Sequence, residues 1–299
     1  MSKRLRLENE RVAAIKDEER EEEDKLKLIK ERIYAPITWK RMPIGICIRD
    51  IKENDFQDVI DFLLCYYITE DVLCRNTEMI KDATSQKSFL EQCMYFLRDT
   101  SSIMAVDELK DNDIVGVILM RVVLKEDYGR VFARTIMLDG VAQKKCMQIK
   151  IALNRKVDIF ADFDCESYLS IEAVSIKPAY RKRGIGFTMM RCAPDIARSL
   201  QIPVICGIFG TASLQRCAKK IGMEVQSEIN YVEWRNKDKN LIIDDPGPGN
   251  YSCAIMAGRV LENRPEPAKA AQKHVEEEKK PKTTRKERRE TAANKSKGK

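Results

Sequence analysis

The middle of the chain alternates between the two-residue apolar period of strands and the three-to-four-residue period of helices. Helical spacing predicts helices over 56–65, 85–97, 143–160, 184–200 and 212–221. Short runs rich in Ile, Val and Cys predict strands over 46–49, 102–106, 114–123, 168–176, 204–209, 224–234 and 251–260. This order predicts a mixed α/β sheet with no internal repeat.

Polar residues and glycine mark several predicted element ends. Asn54 or Asp55 can cap the first helix, and Gly222 stands where a C-terminal cap glycine belongs. The Asp-Asn-Asp segment 111–113 predicts a tight turn between two strands. We expect the folded region to begin near Ile44.

The two ends of the chain differ from its middle. Residues 1–34 carry ten Lys and Arg against ten Asp and Glu, which predicts a solvated helix held by ion pairs. A partner-binding coiled coil is the alternative. Residues 262–299 carry thirteen Lys and Arg against seven Asp and Glu and almost no large apolar residue, which predicts a disordered basic tail. The predicted organisation is an N-terminal extension over 1–40, a domain over 41–261 and a tail over 262–299.

Charge and apolar content narrow the classes of partner. The net charge of +7 falls almost entirely in the tail, so the domain itself does not have the basic surface of a nucleic-acid binder. The tail alone can bind nucleic acid weakly, recruit a protein or serve as a nuclear-import address, and a solubilising role is the alternative. No apolar run of 18 residues predicts a membrane span.

Cysteine and histidine usage limits the chemistry. Ten cysteines without a C-x-x-C pair predict free buried thiols and a reducing compartment, so we expect a cytoplasmic protein. The single histidine, His274, lies in the tail. The domain therefore has no histidine for a catalytic triad or for a zinc site, and we expect no metal.

The segment 174–186 carries the most specific chemistry. An apolar strand leads through Pro178 and Tyr180 into a basic turn with two glycines, Gly184 and Gly186, and an amphipathic helix follows. Glycines allow the backbone to approach a ligand, and a helix N-terminus with cationic side chains attracts phosphate oxygens. The pattern predicts a site for the pyrophosphate of a nucleotide-like cofactor.

This turn resembles the acetyl-CoA signature of the GNAT superfamily of N-acetyltransferases, (Q/R)-x-x-G-x-(G/A), over Arg181–Gly186. The resemblance covers most of 46–258 and is greatest to the insect arylalkylamine N-acetyltransferases, through segments 62–73, 170–176 and 213–223. It implies a mostly antiparallel central sheet flanked by helices. It also implies transfer of acetyl from acetyl-CoA to a primary amine, with a small arylalkylamine as the expected acceptor. A protein amine acceptor and a non-catalytic acetyl-CoA-binding or partner-binding module are the alternatives.

The resemblance also implies roles for particular residues. The strand 173–176 would part from its neighbour and hold the pantetheine arm, and the basic turn would hold the pyrophosphate. The implied cofactor-binding residues are Val174, Ser175, Ile176, Arg181, Lys182, Arg183, Gly184, Ile185, Gly186, Phe187 and Thr188.

The catalytic base departs from the family pattern. The family glutamate aligns with Asp71, and Glu70 directly precedes it, so either carboxylate is a candidate base; two solvated acidic residues are the alternative. The family serine falls near Leu214, which makes Ser213 a candidate for proton transfer or a simple helix cap. Further candidates for a proton path are Tyr168, Glu172 and Tyr231.

Two further expectations concern the surroundings of this site. We expect an aromatic acceptor pocket built from Phe62, Tyr66, Tyr67 and Trp234. We expect Cys206 and Cys217 to be structural residues, because no histidine is available to activate either thiol for an acyl-enzyme mechanism.

Overall fold

The computed structural model describes residues 35–126, 128–129, 138–236 and 238–260. Within these residues one eight-stranded sheet carries helices on its faces. The helix predicted over 1–34 and the disordered tail predicted over 262–299 lie outside the described residues. Both therefore stay predictions.

The strands form one continuous, twisted sheet of mixed direction. Their bounds are β1 Thr38–Met42, β2 Ile46–Asp50, β3 Ile103–Asp107, β4 Asp113–Leu124, β5 Ser167–Ile176, β6 Val204–Phe209, β7 Glu224–Asn230 and β8 Ser252–Arg259. They lie in the order β1-β2-β3-β4-β5-β6-β8-β7. Neighbouring strands are antiparallel except β5 and β6, which are parallel. The predicted mixed and mostly antiparallel sheet is confirmed.

Seven labelled helices of the described chain flank this sheet: α1 Phe56–Phe62, α2 Val72–Asn76, α3 Ala83–Leu97, α4 Val141–Asn154, α5 Ile159–Phe163, α6 Ile185–Ser199 and α7 Ala212–Lys220. Between α1 and α2 the chain stays helical, as a π-helical turn over Leu63–Tyr67 and a last turn over Ile68–Glu70. Short 3-10 turns occur at Glu53–Asp55, Met79–Lys81, Pro178–Tyr180 and Tyr231–Glu233.

The strand β1 was not predicted, because its Thr-Trp-Lys-Arg-Met sequence has no apolar alternation. It lies at the sheet edge and pairs with β2, and the Trp39 indole Nε1 donates to Asp50 Oδ1 at 2.5 Å. The sheet therefore begins before Ile44, and β1 crosses the predicted boundary at 40/41. Backbone pairing and one buried carboxylate stabilise a segment whose side chains alone do not indicate a strand.

Two local predictions were wrong. The single helix predicted over 143–160 is two helices, α4 and α5, and the second is capped by Asp158, whose carboxylate accepts from the Ala161 N–H at 3.2 Å. Asp55 does not cap α1, because its carboxylate accepts from the Lys52 N–H at 2.9 Å and pairs with Arg49 at 2.9 Å. An aspartate near a helix start can bond backwards as well as forwards.

The sheet buries an apolar cluster on each face. One cluster is built from α1, α3 and α4 and includes Val59, Leu97 and Ile149, all at most 1% exposed. The other is built on α6, whose Met189 and Met190 are fully buried. Both faces of the central strands are therefore covered, which explains why β3 and β4 are nearly continuous apolar runs.

The strands β5 and β6 part soon after they begin to pair. Their parallel register has three pairs and ends at Ile171–Gly207. Beyond that point Ala173–Ile176 remains paired with β4 only. The parting implied by the family resemblance is thus confirmed, and it opens the sheet at its centre.

A β-bulge at Glu172 coincides with the parting. Leu119 pairs with Ala173 and Met120 pairs with Ile171, so Glu172 is the extra residue of β5. Arg121 Nε donates to the Glu172 carboxylate at 2.7 Å, and Ser170 Oγ donates to it at 2.8 Å. Burial by itself would raise the pKa of Glu172, but Arg121 and Lys150 outweigh that effect and hold it below its ordinary value.

The Glu172–Arg121 pair predicts a pH-dependent stability. The side chains are only 17% and 14% exposed, so Glu172→Gln should leave Arg121 as a buried charge and lower the free energy of unfolding by about 3–5 kcal/mol at neutral pH. Because the folded pKa is lowered, the contribution is present above the ordinary value near 4.5 and is lost as the pH falls through the folded pKa.

Urea denaturation of the wild type and Glu172→Gln at pH 7 and near pH 3.5 tests this expectation. The difference between the two proteins should narrow at the lower pH. Glu166→Gln is the control, because Glu166 is 83% exposed and its pair with Lys125 should contribute less than about 1 kcal/mol. An equal difference at both pH values would contradict the assignment.

Candidate active site

A cleft of about 790 Å³ opens where β5 and β6 part. Its walls come from the end of β5, the basic turn after it, the first turns of α6 and α7, the segment between α1 and α2, and the loop 246–250. The cleft brings together twelve of the predicted site residues: Glu70, Asp71, Val174, Ser175, Ile176, Arg181, Lys182, Gly184, Ile185, Gly186, Phe187 and Ser213.

Two of the predicted cofactor-binding residues do not line this cleft. The Arg183 guanidinium lies over the Tyr180 ring, 5.1 Å from its centroid. The Thr188 hydroxyl donates to the Gly184 carbonyl at 3.0 Å, inside the first turn of α6. Both side chains therefore stabilise the turn and the helix start.

Tyr180, which is 5% exposed, anchors the basic turn to the end of β3. Its hydroxyl donates to Asp107 Oδ2 at 2.7 Å at the end of β3 and accepts from Lys110 Nζ at 2.9 Å. Lys177, on the other side of the turn, pairs with Asp113 at 2.8 Å. These contacts fix the turn relative to the sheet before any ligand binds.

The turn and the start of α6 have the features of an anion site. Gly184 has φ +80° and is the N-cap of α6, and no side chain caps the helix. A Cβ built on Gly184 would meet no atom within 4 Å, so it would project into open space at the cleft. Uncapped first-turn amides, Arg181 and Lys182 together suit the negatively charged pyrophosphate of acetyl-CoA.

Glu70 and Arg181 form an ion pair that links the segment before α2 with the basic turn. Arg181 Nη1 lies 3.1 Å from Glu70 Oε2, and the two side chains are 41% and 45% exposed. Arg181 Nε also donates to the Ile176 carbonyl at 3.0 Å. Glu70 is therefore held beside the basic turn.

Asp71 occupies a different position from its neighbour. It is the N-cap of α2, and its Oδ1 accepts from the Leu73 N–H at 3.0 Å and the Cys74 N–H at 3.1 Å. Asp71 lines the cleft and also a smaller interior cavity behind it. Asp71 therefore borders both of these spaces.

Ser213 is exposed in the first turn of α7 and lines the cleft. The cap of this helix is Thr211, whose hydroxyl accepts from the Leu214 N–H at 3.3 Å. The interpretation of Ser213 as a helix cap is therefore wrong. Its hydroxyl stays available to the cleft.

Two interior cavities of about 30 and 80 Å³ extend behind the cleft, between the sheet and the helices α3 and α4. Both are lined by Glu172, Phe96 and Lys150. Sequence reasoning missed Lys150, although a signal was present: it follows Cys146 by four residues and so shares the buried face of α4.

The other candidates for a proton path lie on the same side of the sheet. Tyr168 lines the larger interior cavity, and burial raises its pKa well above the ordinary value. Burial likewise raises the pKa of Tyr231, whose hydroxyl donates to the Gly210 carbonyl at 2.7 Å. Both tyrosines are therefore neutral near pH 7 and can donate a proton but not accept one as phenolate.

The predicted aromatic pocket is assembled only in part. Tyr66 and Tyr67 line the cleft, and Tyr67 stacks on Phe89 with ring centroids 5.5 Å apart. Phe62 is 6% exposed within the core, and Trp234 packs against the same core and does not line the cleft. The two tyrosines are thus the aromatic residues of this group that a ligand would meet.

The cysteines have the environment of structural residues. All ten are free thiols, and only Cys65 is exposed. Burial raises the pKa of Cys206 to about 12, and partial burial raises the pKa of Cys217, which lines the cleft. Neither thiol is ionised near neutral pH, which argues against an acyl-cysteine step. Among the described residues no group of His, Cys, Asp and Glu could hold a metal, and no helix is long and apolar enough to cross a membrane.

Known structures share this arrangement of strands and helices. Arylalkylamine N-acetyltransferase 2 from Aedes aegypti matches with a TM-score of 0.67 at 21% identity, over 73% of this chain and 100% of that one. A putative arylalkylamine N-acetyltransferase 7 from the same mosquito matches with a TM-score of 0.65 at 21% identity, over 76% and 96%. The Drosophila melanogaster polyamine N-acetyltransferase matches with a TM-score of 0.59 at 16% identity, over 72% and 99%.

A search of curated protein sequences finds no match. The model of the acetyltransferase (GNAT) family, whose members use acetyl-CoA, matches residues 66–222, just over half of the chain. The match includes the parting of β5 and β6, the basic turn and the start of α6. The chain belongs to the GNAT family of N-acetyltransferases.

Proposed function

We propose that this protein transfers the acetyl group of acetyl-CoA to the primary amine of a small molecule, in a ternary complex and without a covalent enzyme intermediate. The observation that carries the proposal is the cleft at the parting of β5 and β6. There a basic turn, an uncapped helix N-terminus and a carboxylate face one space.

The donor substrate is expected to lie along the open edge of β5. Backbone groups of Val174–Ile176 lack a strand partner on the side of β6 and can bond the pantetheine amides. Arg181, Lys182 and the first amides of α6 are expected to hold the pyrophosphate. Acetyl-CoA supplies the activated thioester on which the amine acts.

We assign the role of general base to Asp71 rather than Glu70. Asp71 borders both the cleft and the interior cavity, while Glu70 is engaged by Arg181 at the phosphate end. The carboxylate of Asp71, directly or through one water, would take the ammonium proton of the incoming acceptor. Ser213 also lines the cleft and is the candidate donor of a proton to the leaving thiolate.

The transfer step balances without an added co-reactant. The neutral amine nitrogen forms a bond to the thioester carbonyl carbon, and the C–S bond breaks. The amine loses one proton and the departing thiolate of CoA gains one. Alignment of the two substrates in one cleft accounts for much of the rate acceleration of such a reaction.

A small acceptor suits the part of the cleft that acetyl-CoA is not expected to occupy. Tyr66 and Tyr67 offer aromatic surface beside the predicted thioester position, which favours an arylalkylamine. The names of the structural neighbours refer to arylalkylamines in two cases and to a polyamine in the third. The acceptor of this chain is best identified from a panel that includes both kinds of amine.

The assignment of the base predicts different effects for two neighbouring carboxylates. Asp71→Asn keeps an oxygen that can cap α2 but removes the base, so kcat should fall about 10²–10⁴-fold. Glu70→Gln, the matched control, removes only the ion pair to Arg181 and should change kcat less than about threefold.

Thiol release from acetyl-CoA, measured with a panel of arylalkylamines, polyamines, small amino acids and lysine peptides, tests both variants. Activity on peptides alone would mean that the acceptor is a protein amine and not a small molecule. Binding of acetyl-CoA without turnover on any amine would make the protein a binding module. A large loss with Glu70→Gln and none with Asp71→Asn would exchange the two roles.

The proposed pyrophosphate site predicts a selective effect on the donor. Arg181→Ala removes a cation from the cleft and should raise the KM for acetyl-CoA about tenfold while kcat changes little. Arg183→Ala should have a smaller effect, because that guanidinium lies over Tyr180 outside the cleft. Equal effects of the two variants on the KM, measured by steady-state kinetics, would contradict this placement.

A further inference from the structure

An ammonium group that has no ion-pair partner among the described residues lies behind the cleft. Lys150 belongs to the inward face of α4, where Cys146, Ile149 and Leu153 are buried, and it lines both interior cavities. It forms no ion pair and no side-chain hydrogen bond with any residue that the structure describes. Its position is unusual for lysine, which normally extends its ammonium into bulk water.

The carboxylates nearest to Lys150 already have other partners. Glu172 is bonded by Arg121 and Ser170, and Asp71 caps α2. Burial lowers the pKa of Lys150, but the charges of Glu172 and Asp71 outweigh that effect and hold it above its ordinary value. The ammonium therefore remains charged near neutral pH, and it has an unfilled capacity to bind an anion.

The cavities around Lys150 are open enough to admit a polar group. Their volumes of about 30 and 80 Å³ exceed the roughly 10–15 Å³ that a single water requires. Phe89, Phe96 and Tyr67 line the smaller cavity together with several polar and charged residues. Away from bulk water an ion pair is stronger than in water, and an unpaired charge is costly.

The proposed base and this lysine both border the smaller cavity. Asp71 borders the cleft and the smaller cavity, and Lys150 borders the smaller and the larger cavity. An acceptor whose amine lies at Asp71 can therefore reach Lys150 with a neighbouring substituent. A carboxylate on a short linker would meet the ammonium, whereas a second ammonium there would be repelled.

We propose that Lys150 binds a carboxylate of the acceptor, so that the preferred acceptors are small amino acids, aromatic or aliphatic, and not the corresponding carboxyl-free amines. The proposal rests on the proposed N-acetyltransferase function and narrows its substrate class. Lys150 acts here as a specificity-determining residue and takes no part in the proton transfer.

Matched pairs of acceptors test this directly. Phenylalanine is compared with phenethylamine, and β-alanine with propylamine, by thiol release from acetyl-CoA. With the wild type, kcat/KM for the carboxylate member of at least one pair should be about tenfold higher or more. Lys150→Met should lower kcat/KM for that member about ten- to hundredfold, mainly through KM, and leave the carboxyl-free amine unchanged.

Two further variants distinguish an effect of the lost charge from an effect on the fold. Lys150→Arg keeps the cation and should retain a preference for the carboxylate member. Lys144→Met removes an exposed lysine of the same helix, which is 58% exposed and pairs with Asp139, and should behave as the wild type. Lys150→Met removes a half-buried charge that has no ion-pair partner among the described residues, so its thermal midpoint should not fall.

The proposal is overturned if the carboxyl-free amines are better acceptors in both pairs, or if Lys150→Met lowers activity on both members of a pair equally. Either result would leave water as the partner of Lys150. Calorimetric titration of β-alanine and phenylalanine into the CoA-loaded protein distinguishes this failure from failure of the enzyme assignment. Binding that depends on Lys150, without turnover, would support the carboxylate subsite and refute the transferase function. An absence of binding to the wild type would refute the subsite.

Discussion

The strands β5 and β6 pair in parallel over only three residues, and the rest of the site depends on where that pairing stops. A strand normally satisfies its backbone on both edges, so a central strand that loses one neighbour exposes donors and acceptors inside the fold. Those groups need a ligand or water. The cleft at the parting therefore follows from sheet geometry, before any side chain is considered.

The bulge at Glu172 changes which side chains lie behind the cleft. The extra residue switches the side-chain alternation of β5, so that Tyr168 and Ala173 pack into the same cluster although they are five positions apart. It also brings a carboxylate and, with it, Arg121 into the space behind the cleft. The sheet thus carries charged side chains on the face covered by α3 and α4, while its opposite face packs against the apolar cluster around α6.

Charged groups are divided between two ends of the site. At the exposed end Glu70 and Arg181 are each more than 40% exposed, so water screens their pair and an incoming anion can displace it at little cost. At the buried end Arg121 and Glu172 are held together by desolvated contacts, and Lys150 adds one more cation. This distribution would match two substrates bound together, with the phosphates of one at the exposed end and an anionic acceptor at the buried end.

The sequence by itself determined the order of most elements, the basic glycine turn and the membership of the acetyltransferase family, because these depend on local periodicity and on a contiguous motif. It did not determine β1, the capping role of Thr211 or the break before α5, since backbone pairing and competing hydrogen bonds decide them. The different surroundings of Glu70 and Asp71 and the inward position of Lys150 arise from packing between distant segments. Only the tertiary structure brings those segments together, because burial and charge pairing are properties of neighbours in space.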